Sequence, residues 1–214
     1  MTCVLVDVDG TLLAGPSSEA LFAAYLMRHQ RIGPRQFVEA AVFLARWASC
    51  FGRHVFKKNK AYLAGLAVDD VAELAEDFVR DELKPRLRPA LLERIEAHRA
   101  AGHHIALLTG TPEFIARPLA RHVGAELWSA TRCVRYNGAF TAAPPEAHPF
   151  FREKVARSLE LCAAIGCELD DCVAYGNSVY DLPLLESVGR PIAVSPDRRL
   201  KRAARNGGWE ILDA

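Results

Sequence analysis

The sequence lacks any apolar run approaching the roughly 18 residues of a transmembrane helix. It also lacks an excess of charge of either sign. With 27 Lys+Arg against 26 Asp+Glu and a formal net charge of +1, nothing attracts the whole chain to nucleic acid or to an anionic membrane. No basic segment precedes the first apolar run, which a carboxylate breaks at Asp7, so no secretory leader and a cytoplasmic location are expected. None of the six cysteines falls in a Cys-x-x-Cys pair. Reduced, mostly buried thiols are therefore expected, and the even spacing of Cys162, Cys167 and Cys172 reads as accidental rather than as a metal site. Internal repeats and low-complexity tracts are absent. What is present is ordinary for a globular chain: 214 residues, 50% apolar and 25% charged, enough for one domain or one domain with an insertion.

Short β-branched runs alternate with longer helical patterns, which predicts an α/β fold, a Rossmann-like parallel sheet. Strands are expected at Cys3–Val8, His104–Leu108, Ala125–Ser129, Cys172–Tyr175 and Pro191–Val194. Pro89 suits a first helical turn and Gly102 closes that helix; Pro112 opens the next, and Arg152–Ile165 ends at Gly166. Tyr136-Asn137-Gly138-Ala139 reads as a tight hairpin, because Asn-Gly accepts positive φ. About 75 residues separate the first strand from the helix leading to the second, far more than the ~10–12 of a minimal crossover. This stretch reads as helices at Glu19–Arg28, Pro34–Phe51, Val55–Leu66 and Asp69–Leu83, the last capped by Asp69. The expected organisation is an α/β core, 1–13 and 88–214, carrying an inserted helical cap subdomain, 14–87.

Asp7-Val8-Asp9-Gly10-Thr11 closes the first strand, at the edge where open α/β sheets bind ligands. Residues two apart in extended chain point the same way, so both carboxylates face one pocket. Paired carboxylates repel unless a cation joins them, and Mg²⁺ prefers such oxygen ligands. Thr109-Gly110 ends the next strand, Lys154 opens a later helix, and Gly176-Asn177-Ser178-Val179-Tyr180-Asp181 follows another strand. A strand-ending threonine, a lysine or a capping asparagine is unremarkable singly. Their order and their common placement at strand ends carry the argument.

In these residues the sequence resembles the haloacid dehalogenase superfamily of phosphohydrolases, over nearly its whole length. Asp7-x-Asp9-Gly10-Thr11-Leu12 is similar to the first motif of that family, Thr109 to the second, Lys154 to the third and Gly176-Asn177-Ser178-x-x-Asp181 to the fourth. The inserted helices resemble a type-one cap. Asp181-Leu182-Pro183-Leu184-Leu185 and the closing Ser195-Pro196-Asp197 with Gly208-Trp209 resemble the phosphoserine phosphatase branch.

The resemblance implies a Mg²⁺-dependent phosphomonoesterase acting on a small-molecule phosphate ester. Asp7 would attack phosphorus to form an aspartyl-phosphate, and Asp9 would serve as acid and then base. Thr109 and the Gly110 N–H would hold phosphoryl oxygens, Lys154 would balance charge, and Asp7, Asp9, Asn177 and Asp181 would hold the metal. A carboxylate at Asp9, missing in the dehalogenases, favours phosphoryl chemistry. Two departures stand out. Asn177 replaces a usual aspartate, and Pro16 stands where phosphoserine phosphatases carry a cap glutamate, with Glu19 nearby. Transfer to another alcohol, or a phosphate-binding protein with little turnover, are the alternative readings. Amino-alcohol, sugar, histidinol-type and phospholipid-headgroup esters all stay open, as does the oligomeric state.

Charge inside the cap is uneven. Between Ala20 and Val68 lie Arg28, Arg31, Arg35, Arg46, Arg53, Lys57, Lys58 and Lys60 against one acid, Glu39; from Asp69 to Glu82 acids dominate. A basic inner surface would gather an anionic substrate, so Arg53, Lys57, Lys58 and Lys60 are candidate substrate contacts. An apolar stripe in Phe37–Phe51 beside them permits contact with a membrane surface or lipid-like substrate.

Overall fold

The computed structural model describes residues 1–214. The chain opens with β1 (Cys3–Val6), followed by four helices, α1 (Ser18–Arg28), α2 (Pro34–Phe51), α3 (Val55–Lys58) and α4 (Val68–Phe78). Then come α5 (Pro89–Ala100), β2 (His104–Pro112), α6 (Glu113–Val123), β3 (Leu127–Thr131), β4 (Arg135–Tyr136) and β5 (Ala139–Phe140). The last third holds α7 (Glu153–Ile165), β6 (Val173–Gly176), α8 (Leu182–Leu185), β7 (Arg190–Val194), α9 (Arg198–Gly207) and β8 (Glu210–Leu212).

Six strands form one sheet in the order β3-β2-β1-β6-β7-β8, every pairing parallel. The side-chain period of two sorts β1 between two cores. Val4 and Val6 face one layer with Leu107, Val173 and Tyr175, covered by α5, α6 and the inserted helices. Cys3 and Leu5 face the other with Ala106, Leu108 and Ala174, under α7, α8 and α9. Each fully buried aliphatic side chain here contributes about 1.5–3 kcal/mol of transfer free energy, which is why both faces of the central strands are apolar.

Chain direction across the sheet reverses between β1 and β6: β1 leads to β2 and β3 on one side, β6 to β7 and β8 on the other. A crevice opens outside the carboxyl ends at such a reversal. The inserted helices hang above it on a short stem, in which Ala14 N donates to Arg86 O (2.9 Å) and Arg88 N to Leu12 O (3.0 Å). A second tether comes from the expected hairpin. Asn137 and Gly138 both take positive φ, and the β4–β5 turn accepts from Gly65 N at Phe140 O and from Val68 N at Gly138 O.

Several sequence expectations change. The third helix of the insertion is a single turn, with a tight turn at Ala61–Leu63 replacing the rest of the expected Val55–Leu66 helix. The fourth begins one residue early, with Ala67 rather than Asp69 at the cap, and loosens into a wide turn at Val79–Leu83. Asp69 instead lies in the first turn, where the helix dipole favours an acid. β8 escaped notice because three half-buried residues starting at a glutamate make no apolar run. On α2 only Phe43 is buried, and Phe37, Val38 and Val42 face solvent. No helix is long and apolar enough to cross a membrane.

Candidate active site

Asp7 follows β1 directly and is 7% exposed. Its two oxygens are held separately: Lys154 Nζ donates to Oδ1 (2.6 Å) and Thr11 Oγ1 to Oδ2 (2.9 Å). The intervening Gly10 makes this turn possible. Its φ is +83°, and a Cβ there would lie 2.1 Å from Asn177 Nδ2, so only glycine lets the β1 and β6 loops close on one another. Across the reversal, Asp181 is also buried, and its Oδ1 accepts a second bond from Lys154 Nζ (2.6 Å). Its Oδ2 accepts from the Asn177 and Ser178 amides and from Ser178 Oγ. Three of these bonds converge on Oδ2 and one reaches Oδ1, which keeps a free lone pair.

Asp9 points the other way, toward the insertion. Oδ1 accepts from Ser18 N in the first turn of α1 (2.7 Å) and Oδ2 from Thr111 Oγ1 (3.3 Å). Thr109 sits behind it, donating its hydroxyl to Thr111 Oγ1 (2.9 Å) while accepting from Thr111 N. No backbone amide reaches the Asp9 carbonyl.

Charge balance explains the protonation tendencies. Burial, with repulsion from Asp181 and Asp9 added, holds Asp7 above the usual carboxylate range although Lys154 opposes the shift. Burial alone would lower Lys154, but Asp181 and Asp7 more than offset it and hold its ammonium above the ordinary lysine value. When ionised, the three carboxylates Asp7, Asp9 and Asp181 leave two negative charges that Lys154 does not match. That surplus, the free Asp9 carbonyl and the Asn177 Oδ1, 3.3 Å from Thr11 Oγ1, suit a divalent cation with oxygen ligands.

These groups line one cavity of about 340 Å³, with Thr109, Gly110 and Asn177 beside them on the core side. Gly15, Ser17, Glu19, Lys57 and Lys60 close it from the insertion, and Phe150 and Tyr180 stand as its apolar members. Of the four candidate cations in the insertion, the structure brings two to the cavity and parts two from it. Lys60 is 2% exposed and donates to Glu19 Oε2 (2.5 Å) and to Lys57 O (2.9 Å). Lys58 instead lies over the Phe51 ring at 5.3 Å, and Arg53 turns to His54 Nε2 (3.2 Å), so neither lines the cavity. The cause is helical rotation: neighbours along one turn point to different sides.

Sequence reasoning placed Thr11 in the first motif without a role for its hydroxyl, and it missed Ser18 and Thr111, whose partners lie far off or whose residue type is unremarkable. It also missed His148. Thr131 Oγ1 donates to the Gly110 carbonyl (2.6 Å), so it accepts from His148 Nδ1 (2.7 Å). That places the imidazole proton on Nδ1 and leaves Nε2 as a lone pair, buried without a partner. Burial, then the ammonium groups of Lys60, Lys58, Lys57 and Lys154, push His148 down to about 3, so the ring is neutral.

Known proteins agree with this architecture. The chain matches the model of the haloacid dehalogenase-like hydrolases over residues 4–186. It is 33% identical to a Streptomyces azureus protein named inhibition of morphological differentiation protein, over 99% of this chain and 78% of that one. It is 31% identical to the Mycobacterium tuberculosis protein named phosphoserine phosphatase SerB1, over 97% of this chain and 69% of that one. Among solved structures, a Bordetella pertussis Tohama I protein of unknown function superimposes with a TM-score of 0.84 at 30% identity, covering 99% of this chain and 98% of that one. Buried acids and a lysine at a sheet reversal, under inserted helices, thus stand within a known lineage: the chain belongs to the haloacid dehalogenase-like hydrolases, in the branch of the phosphoserine phosphatases, and is a phosphatase.

Proposed function

We propose that this phosphatase hydrolyses small, hydrophilic phosphomonoesters through an aspartyl-phosphate on Asp7, with Mg²⁺ as its metal. The observation that carries the reading is the fixing of Asp7 by Lys154 and Thr11 at the sheet reversal, beside a second carboxylate aimed at the insertion. An Asp7 oxygen attacks phosphorus as the bond to the leaving oxygen breaks, and Asp9 gives that oxygen its proton. Water then attacks the same phosphorus, Asp9 takes the water's proton, and inorganic phosphate leaves with the Asp7 carboxylate restored. The Gly110 N–H and Thr109 hydroxyl hold phosphoryl oxygens, and Lys154 offsets charge on nucleophile and phosphoryl group.

Asp7, the Asp9 carbonyl and Asn177 Oδ1 would hold the Mg²⁺. Bound there, it would draw the anionic ester and the anionic nucleophile together. Asp181, bonded to Lys154 and to the Asn177–Ser178 turn, positions those groups and keeps one Oδ1 lone pair for the metal.

The lining speaks to the leaving group. Only Phe150 and Tyr180 are apolar, and the insertion offers the Glu19–Lys60 pair, so an amino-alcohol or polyol fits better than an acyl chain. The neutral His148 adds an acceptor suited to a hydroxyl or ammonium donor. Glu19 is engaged with Lys60 and Pro16 offers no charge, which sets the pocket apart from one built around a free carboxylate for the phosphoserine amine. A panel of phosphorylated metabolites assayed with Mg²⁺, after chelation, and after Mg²⁺ is restored tests the reading. Chelation should stop turnover, Mg²⁺ should restore it, and hydrophilic esters should lead the panel. Turnover indifferent to chelation, or a preference for long-chain esters, would overturn it.

A further inference from the structure

At the opposite end of the sheet from the cavity, the fold gathers cysteines that are spread over the sequence. Cys162 lies in the last turn of α7, Gly166 closes that helix at a φ of +68°, and the chain doubles back so that Cys167 N donates to Cys162 O (3.1 Å). Cys172 stands one residue before β6, where its thiol donates to Glu168 O (3.2 Å). The register Val4↔Val173 then sets Cys3 across from Cys172 on the adjoining strand. Exposures are 0% for Cys3, 2% for Cys162, 8% for Cys167 and 1% for Cys172, and all four are free thiols.

Distances among the sulfurs decide what this cluster can do. Cys162 Sγ lies 3.4 Å from Cys172 Sγ, which lies 3.9 Å from Cys167 Sγ, and all three fall within 4.8 Å of one another. With zinc–sulfur bonds of about 2.3 Å, the corners of a tetrahedral site lie about 3.8 Å apart. The two closest separations bracket that edge. Apolar residues of the same core, Leu5, Ala106, Leu184 and Ala193 among them, carry no side-chain ligand atom, and the Glu168 carbonyl, 3.2 Å from Cys172 Sγ, is the oxygen beside the sulfurs. Sulfur donors in a dry, apolar shell select a soft or borderline cation and reject Mg²⁺. The even spacing in sequence is therefore not idle: one turn of chain reversal converts it into a convergent set.

We propose that Cys162, Cys167 and Cys172 form a three-thiolate structural Zn²⁺ site that ties the end of α7 to the start of β6. On binding, each thiol loses its proton to solvent and its sulfur lone pair enters the metal bond, with no change in oxidation state. The site stands apart from the phosphatase centre and needs none of its residues.

The test uses the full chain, purified without chelator. Elemental analysis should find one zinc per chain. Protein stripped of metal and loaded with Co²⁺ should show near-ultraviolet sulfur-to-cobalt charge transfer and the strong visible bands of tetrahedral cobalt. Cys167→Ser, at the most exposed of the three positions, should lose most of the zinc and weaken the charge-transfer band while keeping the native circular dichroism. Asp7→Asn should keep both zinc and band, which separates this site from the catalytic one. Absence of zinc together with a cobalt spectrum lacking sulfur bands would overturn the proposal. So would zinc content unchanged in both Cys167→Ser and Cys172→Ser, or a Cys162–Cys172 disulfide found by mass in the purified protein.

Discussion

The two walls of the cavity are built differently. On the core wall Asp7, Thr11, Lys154 and Asp181 are almost wholly buried, and each is held by at least one bond of 2.6–2.9 Å to another member. On the opposite wall the insertion presents long side chains, of which Glu19 keeps 22% of its side-chain surface exposed beside the buried Lys60. On the proposed reading the core wall sets what reaction occurs, and the insertion wall, with Lys57, Lys60 and Glu19, sets which ester arrives. Asp9 joins the two, since its carboxylate spans Ser18 N of the insertion and Thr111 of the core.

Breaking the core wall should cost most. Asp7→Asn keeps the shape but removes the attacking lone pair, and kcat for every ester should fall roughly 10⁴-fold or more. Steady-state assays on an aryl phosphate and a hydrophilic ester check this, and the two losses should match. Lys154→Met should act on stability as well as rate. It strands Asp7 and Asp181 without their shared cation, and removing one partner of a buried ion pair costs about 3–5 kcal/mol. Denaturant unfolding without divalent cations measures that loss, and added Mg²⁺ should recover part of it.

Effects at the insertion wall should be smaller and selective. Lys60→Met should raise KM for the preferred hydrophilic ester by about tenfold, or ~1.4 kcal/mol, and barely alter an aryl phosphate. Equal effects on both esters would erase the division between the walls. The smallest change should follow Arg53→Ala and Lys58→Ala. Both side chains point away from the cavity, so kcat/KM for either ester should stay within about twofold of the parent.

How much of this was legible in the sequence follows from where each signal lies. Apolar runs leading into Asp-Gly or Thr-Gly are local facts, so β1 and β2 and the order of Asp7, Thr109, Lys154 and Asn177 could be read directly, although β2 runs on past the expected Leu108 to Pro112. The length of the insertion and the Asn137-Gly138 hairpin were equally local. What stayed hidden depends on contacts between distant residues. The Lys60–Glu19 pair joins residues 41 apart, and the His148–Thr131–Gly110 relay joins a loop to the ends of β3 and β2 through residue types that carry no pattern. A charge run such as 53–60 shows that cations are present but not which side of a single helical turn each one takes. The cysteines show the same limit: their spacing acquires meaning only once Gly166 reverses the chain and brings Cys167 and Cys172 back to Cys162.

The central claim is that Asp7 carries the phosphoryl group during turnover. Asp9→Asn retains the nucleophile but lacks the group that takes water's proton, so with a good leaving group the intermediate should form and then persist. Mixing this variant with a labelled aryl phosphate and Mg²⁺, quenching in acid and digesting should place the phosphoryl group on the peptide containing Asp7, near one per chain. The account predicts that label, and its absence when Asp7 is also replaced by Asn. No label on the Asp7 peptide while hydrolysis proceeds, or label that survives the loss of Asp7, would contradict it.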